Sequence, residues 1–155
     1  MDCKKLKKVF KVVGLKGTGA FVDYGIEVPK LAQQLISRKN EIKNHTDIEI
    51  ALFEPKRDNN HLEGHFYVAL IVNDNLAEVP IGMEYIENAQ EYASIRGGIN
   101  NLANLHQHLL KWTEEQGYKR NLESYIIETY HQMMNGEEEV EIYLPIHDSS
   151  LKELM

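Results

Sequence analysis

The order of secondary-structure elements is the feature that most constrains this fold, because the same order is predicted twice along the chain. Each half reads as a strand, an amphipathic helix and two further strands. A small sheet with one helix buries its apolar face poorly alone, so the two units are expected to pair. The sequence therefore predicts an α+β domain over residues 1–155, with pseudo-repeat halves of about 6–78 and 79–147. Its antiparallel sheets are expected to form a central groove where the units meet, with one main helix in each unit.

The first half opens with residues 10–14, which predict a strand, followed by a glycine-rich stretch. Residues 14–19 predict a bend or bulge within that strand. From Val28 to Ile36, apolar residues recur every three or four positions, which is the stripe of an amphipathic helix, and Pro29 suits its first turn. Further strands are predicted at residues 47–54 and 65–73.

The second half opens with a long extended segment at residues 82–96. A helix is predicted at residues 101–116, because leucines and an aromatic residue share one stripe there and Gly117 follows as a C-terminal stop. The remaining strands are predicted at residues 124–130 and 139–146.

Composition and charge limit the classes of function. With 17 Lys and Arg against 24 Asp and Glu, the formal net charge is −7, which is unfavourable for binding the phosphates of nucleic acid. Hydrophobic residues make up 43%, enough to fill a core, and the longest apolar run, residues 66–72, is too short to span a membrane. The first residues show no signal-peptide pattern, and one cysteine excludes an internal disulfide. We therefore expect a soluble cytoplasmic protein that binds neither nucleic acid nor membrane directly.

Several motifs of reactive residues lack the spacing that metal binding or cofactor binding requires. His61 and His65 lie four positions apart, but a glycine interrupts them and the context is loop into strand rather than helix. His106 and His108 are two positions apart on a helix and therefore point to different sides. The glycines of residues 14–19 precede the next helix by about ten residues, too far to cradle a phosphate. The sequence thus predicts no metal and no cofactor.

A carboxylate among aromatic rings is the pattern most typical of a binding site. Side chains alternate along a strand, so Glu128 and Tyr130 share one face of residues 124–130. If this strand pairs as a hairpin with residues 139–146, Glu128 and Tyr143 are expected on the face away from the helices. Such a site suits an organic cation, because rings and carboxylate both attract positive charge. The alternative is an exposed sheet face with an ordinary strand glutamate, and spacing alone favours it.

Four further residues complete the list of candidate site residues. The repeat of the pattern places Glu54 and Tyr67 in the first half at positions that correspond to the acid and the tyrosine of the second. Glu141 lies on the same strand face as the second-half tyrosine. Trp112 ends the apolar stripe of the second helix, and is either a core or rim residue or a ring that faces the ligand.

Short motifs along the chain occur in the order seen in a known family. They are Phe10-Lys-Val-Val-Gly-Leu15, Val28-Pro-Lys-Leu31, Ile50-Ala-Leu-Phe-Glu-Pro55, Val79-Pro-Ile-Gly-Met83, Glu91-Tyr-Ala-Ser-Ile95 with Gly98, Lys111-Trp112 with Gly117-Tyr118, Ile127-Glu-Thr-Tyr130 and Val140-Glu-Ile-Tyr-Leu-Pro145. Together they resemble the GyrI-like, or AraC-type effector-binding, domain over residues 10–146. The stretch Arg96-Gly-Gly-Ile-Asn100 departs from the His-x-Gly form found in many relatives.

The resemblance implies both a fold and a function. Family members have tandem SHS2-like modules, a duplicated strand–helix–strand–strand unit with a central groove. They typically bind small organic molecules, often lipophilic cations, as sensor halves of transcription regulators or as stand-alone proteins. Because the sequence shows no helix-turn-helix segment, a stand-alone protein that senses or sequesters such molecules is implied. Glu128 matches the family's ligand-contacting acid and Tyr143 its aromatic partner, whereas the other candidates receive weaker support.

The resemblance leaves two other classes of function open. Some GyrI-like proteins hydrolyse electrophilic xenobiotics, and in such an enzyme Glu128 is expected to orient or deprotonate water while Tyr143 hydrogen-bonds the leaving group. The sequence shows no nucleophile–base pair, so a binding protein is preferred. The gyrase-inhibitor relatives imply the other class, an inhibitor that binds a protein partner such as a DNA-processing enzyme or a regulator.

Overall fold

In the part of the chain that the structure describes, residues 2–75 and 78–147 of a computed structural model, six antiparallel strands close into a barrel with two helices outside it. The elements in chain order are β1 (Lys4–Ala20), α1 (Tyr24–Ser37), β2 (His45–Phe53), β3 (Glu63–Val72), β4 (Glu84–Gly98), α2 (Leu102–Glu115), β5 (Ile126–Gln132) and β6 (Glu138–Ile146). Strand–helix–strand–strand therefore occurs twice in the element order. The α+β class is as predicted.

The strands are arranged in the order β1-β3-β2-β5-β6-β4, and β4 pairs with β1 to complete the ring. The predicted sheets with a groove between them are thus one closed barrel. Because side chains alternate along each strand, every second residue points into the barrel. The interior is filled by apolar and aromatic side chains: Phe10, Val12, Ile50, Leu52, Tyr67, Ala69, Tyr92, Ile127 and Tyr143.

Each helix covers a separate part of the outside of the barrel. Helix α1 packs on β1 and β3, where Leu35 is buried against Phe66, Val68 and Leu70. Helix α2 packs on β4 and β6, where it buries Leu105 and Leu109. Strands β2 and β5 pair with each other between these two covered regions, so their outer face forms the floor of a groove between the helices.

The glycine-rich stretch lies within β1 and does not interrupt it. The register of β1 against β3 runs unbroken from Val12 to Ala20, so, of the predicted bend or bulge at residues 14–19, the bulge is absent from this pairing. A side chain at Gly14 would place its Cβ 2.0 Å from the carbonyl oxygen of Val68, and one at Gly17 would meet the ring of Phe66. These glycines therefore allow close packing of β1 against β3.

Helix α1 begins four residues before the predicted start at Val28 and carries Pro29 in its interior. Proline lacks an N–H group, so it cannot donate the helical hydrogen bond to Gly25. Pro29 and Gly25 are both exposed and line the groove described below. Among the described residues, neither helix has the length and apolar content needed to cross a membrane.

Candidate functional site

The groove between the helices has a floor built from alternate residues of β2 and β5. Glu49, Ala51 and Phe53 of β2 lie opposite Tyr130, Glu128 and Ile126 of β5, respectively. Paired residues of an antiparallel ladder share a face, so all six side chains point outwards between α1 and α2. The larger part of the groove has a volume of about 530 Å³. The strand pair thus presents two carboxylates, Glu49 and Glu128, and the rings of Phe53 and Tyr130 to one cleft.

Glu128 lies at the centre of this floor and is only 6% exposed. Its two carboxylate oxygens have different partners. The Tyr130 hydroxyl donates to Oε1 at 2.6 Å, and His106 of α2 places Nε2 2.6 Å from Oε2. Glu128 therefore sits in a partly dry site whose hydrogen bonds come from side chains that also line the groove.

The Tyr130 hydroxyl is held in its neutral, donating form. Burial, followed by the nearby charge of Glu128, raises the pKa of Tyr130 well above its ordinary value. Charge-assisted hydrogen bonds of this kind stabilise a buried carboxylate without neutralising it.

The walls of the groove are mainly apolar and aromatic. Tyr24 of α1 contacts Phe21 and Phe66 with ring centroids 5.3 and 5.0 Å apart, and Phe53 lies beyond it on β2. Burial raises the pKa of Tyr24 to about 12, so its ring also stays uncharged. The remaining lining residues include Val28, Pro29, Leu102 and Ile126. Rings beside a carboxylate are the arrangement that binds organic cations in proteins.

Glu54, which follows β2, lies at one end of the groove, but its charge is already compensated. Arg57 donates to its Oε2 at 2.6 Å, and the backbone N–H of His65 donates to its Oε1 at 3.0 Å. The Arg57 guanidinium is the main cause that lowers the pKa of Glu54 to about 2. Glu54 and Glu128 thus line the same cleft, although the two carboxylates have different environments.

The prediction that Glu128 and Tyr143 share a face is wrong. Glu128 is paired with Ile142 across the β5–β6 ladder, whereas Tyr143 is paired with Ile127. Tyr143 therefore points into the barrel, where its ring contacts Phe10 at a centroid distance of 4.9 Å. Glu128 points outwards, towards the helices rather than away from them.

The structure places the other predicted site residues away from the groove floor. Tyr67 fills the barrel interior. Glu141 accepts a hydrogen bond of 2.6 Å from the Tyr143 hydroxyl on the inner side of the same strand. Trp112 is partly buried beside Tyr118 at the edge of the core under α2, with ring centroids 5.7 Å apart. In this structure none of these three side chains lines the cavity that contains Glu128.

Sequence reasoning missed His106 and left Tyr130 out of the candidate list. His106 was considered only as a metal ligand, paired with His108. Its position four residues after Leu102 places it at the flank of the apolar stripe of α2, and that spacing was the available signal. Tyr130 was recognised on the same strand face as Glu128, which the structure confirms.

His61, in the loop before β3, and His65, in β3, both lie near Glu54. Nδ1 of His65 lies 3.1 Å from Oε1 of Glu54, and Nε2 of His61 lies 3.6 Å from Oε2. Within residues 2–75 and 78–147, no group of three or more His, Cys, Asp or Glu side chains has an arrangement suited to a metal ion. The chemical groups that the groove offers to a ligand are therefore the Glu128 carboxylate, its hydrogen-bond partners and the aromatic rings of the walls.

Comparison with known protein families agrees with this geometry. The GyrI-like small molecule binding domain matches residues 4–147, nearly the whole chain. The chain belongs to the GyrI-like family. The GyrI-like resemblance expected from the sequence motifs is thus confirmed, and the groove lies within the matched region. No curated protein sequence matches the chain.

Solved structures with the same fold come from proteins of distant sequence. SAV2435 bound to tetraphenylphosphonium is 14% identical, with a TM-score of 0.71 over 97% of both chains. EcmrR in a DNA complex is 15% identical, with a TM-score of 0.66 over 95% of this chain and 57% of EcmrR. A hydrolase from Listeria innocua is 12% identical, with a TM-score of 0.58 over 94% of this chain and 91% of the hydrolase. At these identities the likeness establishes the fold.

Proposed function

We propose that this GyrI-like protein binds small lipophilic organic cations in the groove between α1 and α2, with Glu128 as the counter-charge, and so senses or sequesters them. The observation that carries the proposal is the position of Glu128, 6% exposed on the floor of an apolar groove of about 530 Å³. Burying a charged group costs free energy unless an opposite charge or hydrogen bonds compensate it. A ligand cation supplies that compensation.

The hydrogen bonds around Glu128 fit this role. Tyr130 and His106 each use one carboxylate oxygen, so the carboxylate is held in place before a ligand arrives. Holding a charged group in position in advance lowers the entropy cost of binding. The rings of Tyr24 and Phe53 then contribute apolar area and cation–π attraction, about 0.5–2 kcal/mol for each ring in favourable contact.

The structural relatives support a cationic ligand. SAV2435, which shares the fold, was solved bound to tetraphenylphosphonium, a bulky lipophilic cation. EcmrR, which also shares it, was solved on DNA, and this chain spans about half the length of that protein. We extend the ligand class of the first relative to this chain, because the carboxylate and rings of the groove are suited to the same chemistry.

The experiment is a calorimetric titration with tetraphenylphosphonium and with neutral triphenylphosphine oxide. We expect Glu128→Gln to weaken binding of the cation by about tenfold or more, which corresponds to ~1.4 kcal/mol, and to change binding of the neutral compound little. Glu114→Gln is the matched control, since Glu114 is exposed on α2 outside the groove. Equal affinity of wild type and Glu128→Gln for the cation would remove the counter-charge role.

The second candidate function is a hydrolase that acts on electrophilic xenobiotics. Among enzyme classes, a hydrolase is favoured by the hydrogen-bonded set His106–Glu128–Tyr130. Glu128 could accept a proton from water, and the Tyr130 hydroxyl, neutral because of its raised pKa, could donate to a leaving group. Tyr130 then takes the role that the sequence assigned to Tyr143, which lies inside the barrel. Incubation with strained electrophiles such as epoxides, followed by product analysis, tests this; unchanged substrates would argue for binding alone.

We further propose that the two halves, about residues 6–78 and 79–147, are tandem SHS2-like modules of one domain. Both halves follow the same element order, with Glu128 as the third residue of β5 and Glu54 directly after the last residue of β2. Both carboxylates line the same groove. In this view Tyr130 and His106 hold the acid of one module in place for a ligand, while Arg57 compensates the acid of the other.

A further inference from the structure

The groove continues past Tyr130 into a second cavity of about 320 Å³. Val28, Pro29 and Tyr130 line both cavities, so the two are adjoining compartments of one cleft. The walls of the second compartment are apolar on both sides, with Ala32 and Leu35 on α1 and Ile99 before α2. A ligand bound at Glu128 can therefore extend into it between Tyr130 and the Val28–Pro29 turn of α1.

Two carboxylates line this second compartment, Glu49 on β2 and Glu138 at the start of β6. Both are partly buried, and among the described residues neither carboxylate receives a hydrogen bond or forms a salt bridge. Burial and the charge of Glu138 raise the pKa of Glu49. The neighbouring cation, Lys39, is already bound to Asp47 at 3.0 Å. A ligand can therefore supply the positive charge that compensates Glu49 and Glu138 in this compartment.

We propose that the natural ligand is an elongated organic dication, with one cationic group at Glu128 and the second between Glu49 and Glu138. The inference rests on the proposed function of the Glu128 compartment and specifies its ligand class. Glu49 lies opposite Tyr130, two residues along β5 from Glu128, so Glu49 and Glu128 are diagonal neighbours. Their Cα atoms are therefore about 7–8 Å apart, a spacing that a short linker between two cationic groups can match.

The surroundings favour an organic cation over a hydrated metal ion in the second compartment. Divalent metal ions take several oxygen ligands or waters, whereas here the two carboxylates sit among Val28, Ala32 and Leu35. Alkylammonium and amidinium groups carry apolar surface that such walls can cover, and they need fewer oxygen contacts. The linker between the charges passes the Tyr130 ring, which is apolar over its face.

The test compares bis(trimethylammonium)alkanes with alkyltrimethylammonium ions of the same chain length, with spacers of roughly four to ten methylene groups that bracket the ~7–8 Å spacing. We expect the dication of best length to bind wild-type protein about tenfold or more tighter than its monocation. In the double variant Glu49→Gln, Glu138→Gln, this advantage is expected to fall to about twofold or less. The monocation affinity is expected to stay nearly unchanged.

A matched double variant separates local from overall charge. Glu114→Gln with Glu78→Gln removes the same charge at exposed positions outside both compartments, and should keep the advantage of the dication. Equal affinity for dication and monocation in wild type, or an advantage that survives Glu49→Gln, Glu138→Gln, overturns the inference. Failure of the proposed function gives a different result, because the monocation then binds wild type and Glu128→Gln equally well.

Discussion

Ala51 lies directly opposite Glu128 in the ladder between β2 and β5. The two residues share the floor of the groove, and Ala51 is only 1% exposed beneath it. A methyl group at this position leaves the carboxylate open to the cleft on its β2 side. The size of one side chain on β2 thus helps to set how closely a ligand can approach the acid on β5.

Replacing Ala51 with leucine is expected to fill part of the groove beside Glu128. Because Ala51 is 1% exposed, the larger side chain should lower the free energy of unfolding by about 1–3 kcal/mol. Affinity for tetraphenylphosphonium should fall by about tenfold or more, measured by calorimetry. Ala89→Leu, at an exposed site on β4, serves as the control and should leave affinity unchanged. Unaltered affinity in Ala51→Leu would place the ligand elsewhere.

The close contact at Gly14 predicts a large loss of stability on adding one methyl group. Gly14→Ala places a Cβ against the backbone of Val68 and Ala69, which cannot move without separating β1 from β3. We expect the free energy of unfolding to fall by about 3 kcal/mol or more, measured by urea denaturation. Gly19→Ala in the same strand has no heavy atom within 4 Å of the new Cβ. A similar loss in both variants would contradict the packing explanation.

The ion pair between Glu54 and Arg57 predicts an acid-dependent part of the stability. The pKa of Glu54 is lowered to about 2 from an ordinary 4.5, so its contribution is present above about pH 4.5 and is lost as the pH falls towards 2. Because the pair is partly exposed, we expect about 1–2 kcal/mol. The difference in unfolding free energy between wild type and Glu54→Gln should therefore shrink between pH 7 and pH 3. Arg57→Gln should remove the same pH-dependent part; if it does not, Arg57 is not the cause.

The opposite orientations of Tyr130 and Tyr143 predict different coupling to Glu128. Tyr130→Phe removes a hydrogen bond to the carboxylate and should cost about 1–2 kcal/mol of unfolding free energy, less in a Glu128→Gln background. Tyr143→Phe removes the bond to Glu141 inside the barrel and should show no coupling to Glu128. Double-mutant cycles by urea denaturation measure both. Coupling of Tyr143 but not Tyr130 would contradict the register of β5 and β6.

The sequence was sufficient to predict the element order, because apolar spacing differs between helices and strands. The residues Ile127-Glu-Thr-Tyr130 also made Glu128 a candidate through their resemblance to the family pattern, and the structure places Glu128 on the groove floor. The start of α1 was placed too late, since Gly25 and the proline at position 29 are more typical of a loop and a first turn. Local preference was overridden there by packing of Tyr24 on Phe66.

The face of Tyr143 could not be predicted from alternation alone. A closed barrel has a buried interior as well as outer regions buried under helices, so apolar residues occur on both faces of β6. Ile142 and Tyr143 are both buried, on opposite sides. Only the closure of the barrel determines which face of β6 points inwards and which lies under the helix. Closure depends on pairings between β1 and β4 and between β2 and β5, and no local sequence pattern encodes these pairings.

Closure of the barrel also restricts which conformational changes can accompany ligand binding. The two halves of the chain are joined along two seams, β1 with β4 and β2 with β5, each a ladder of main-chain hydrogen bonds. The two halves cannot separate unless the main-chain hydrogen bonds of one of these two strand pairs break. Conformational adaptation to ligands of different shape is therefore expected in α1 and α2. These helices pack on the outside of the barrel and can shift without breaking its strand pairs.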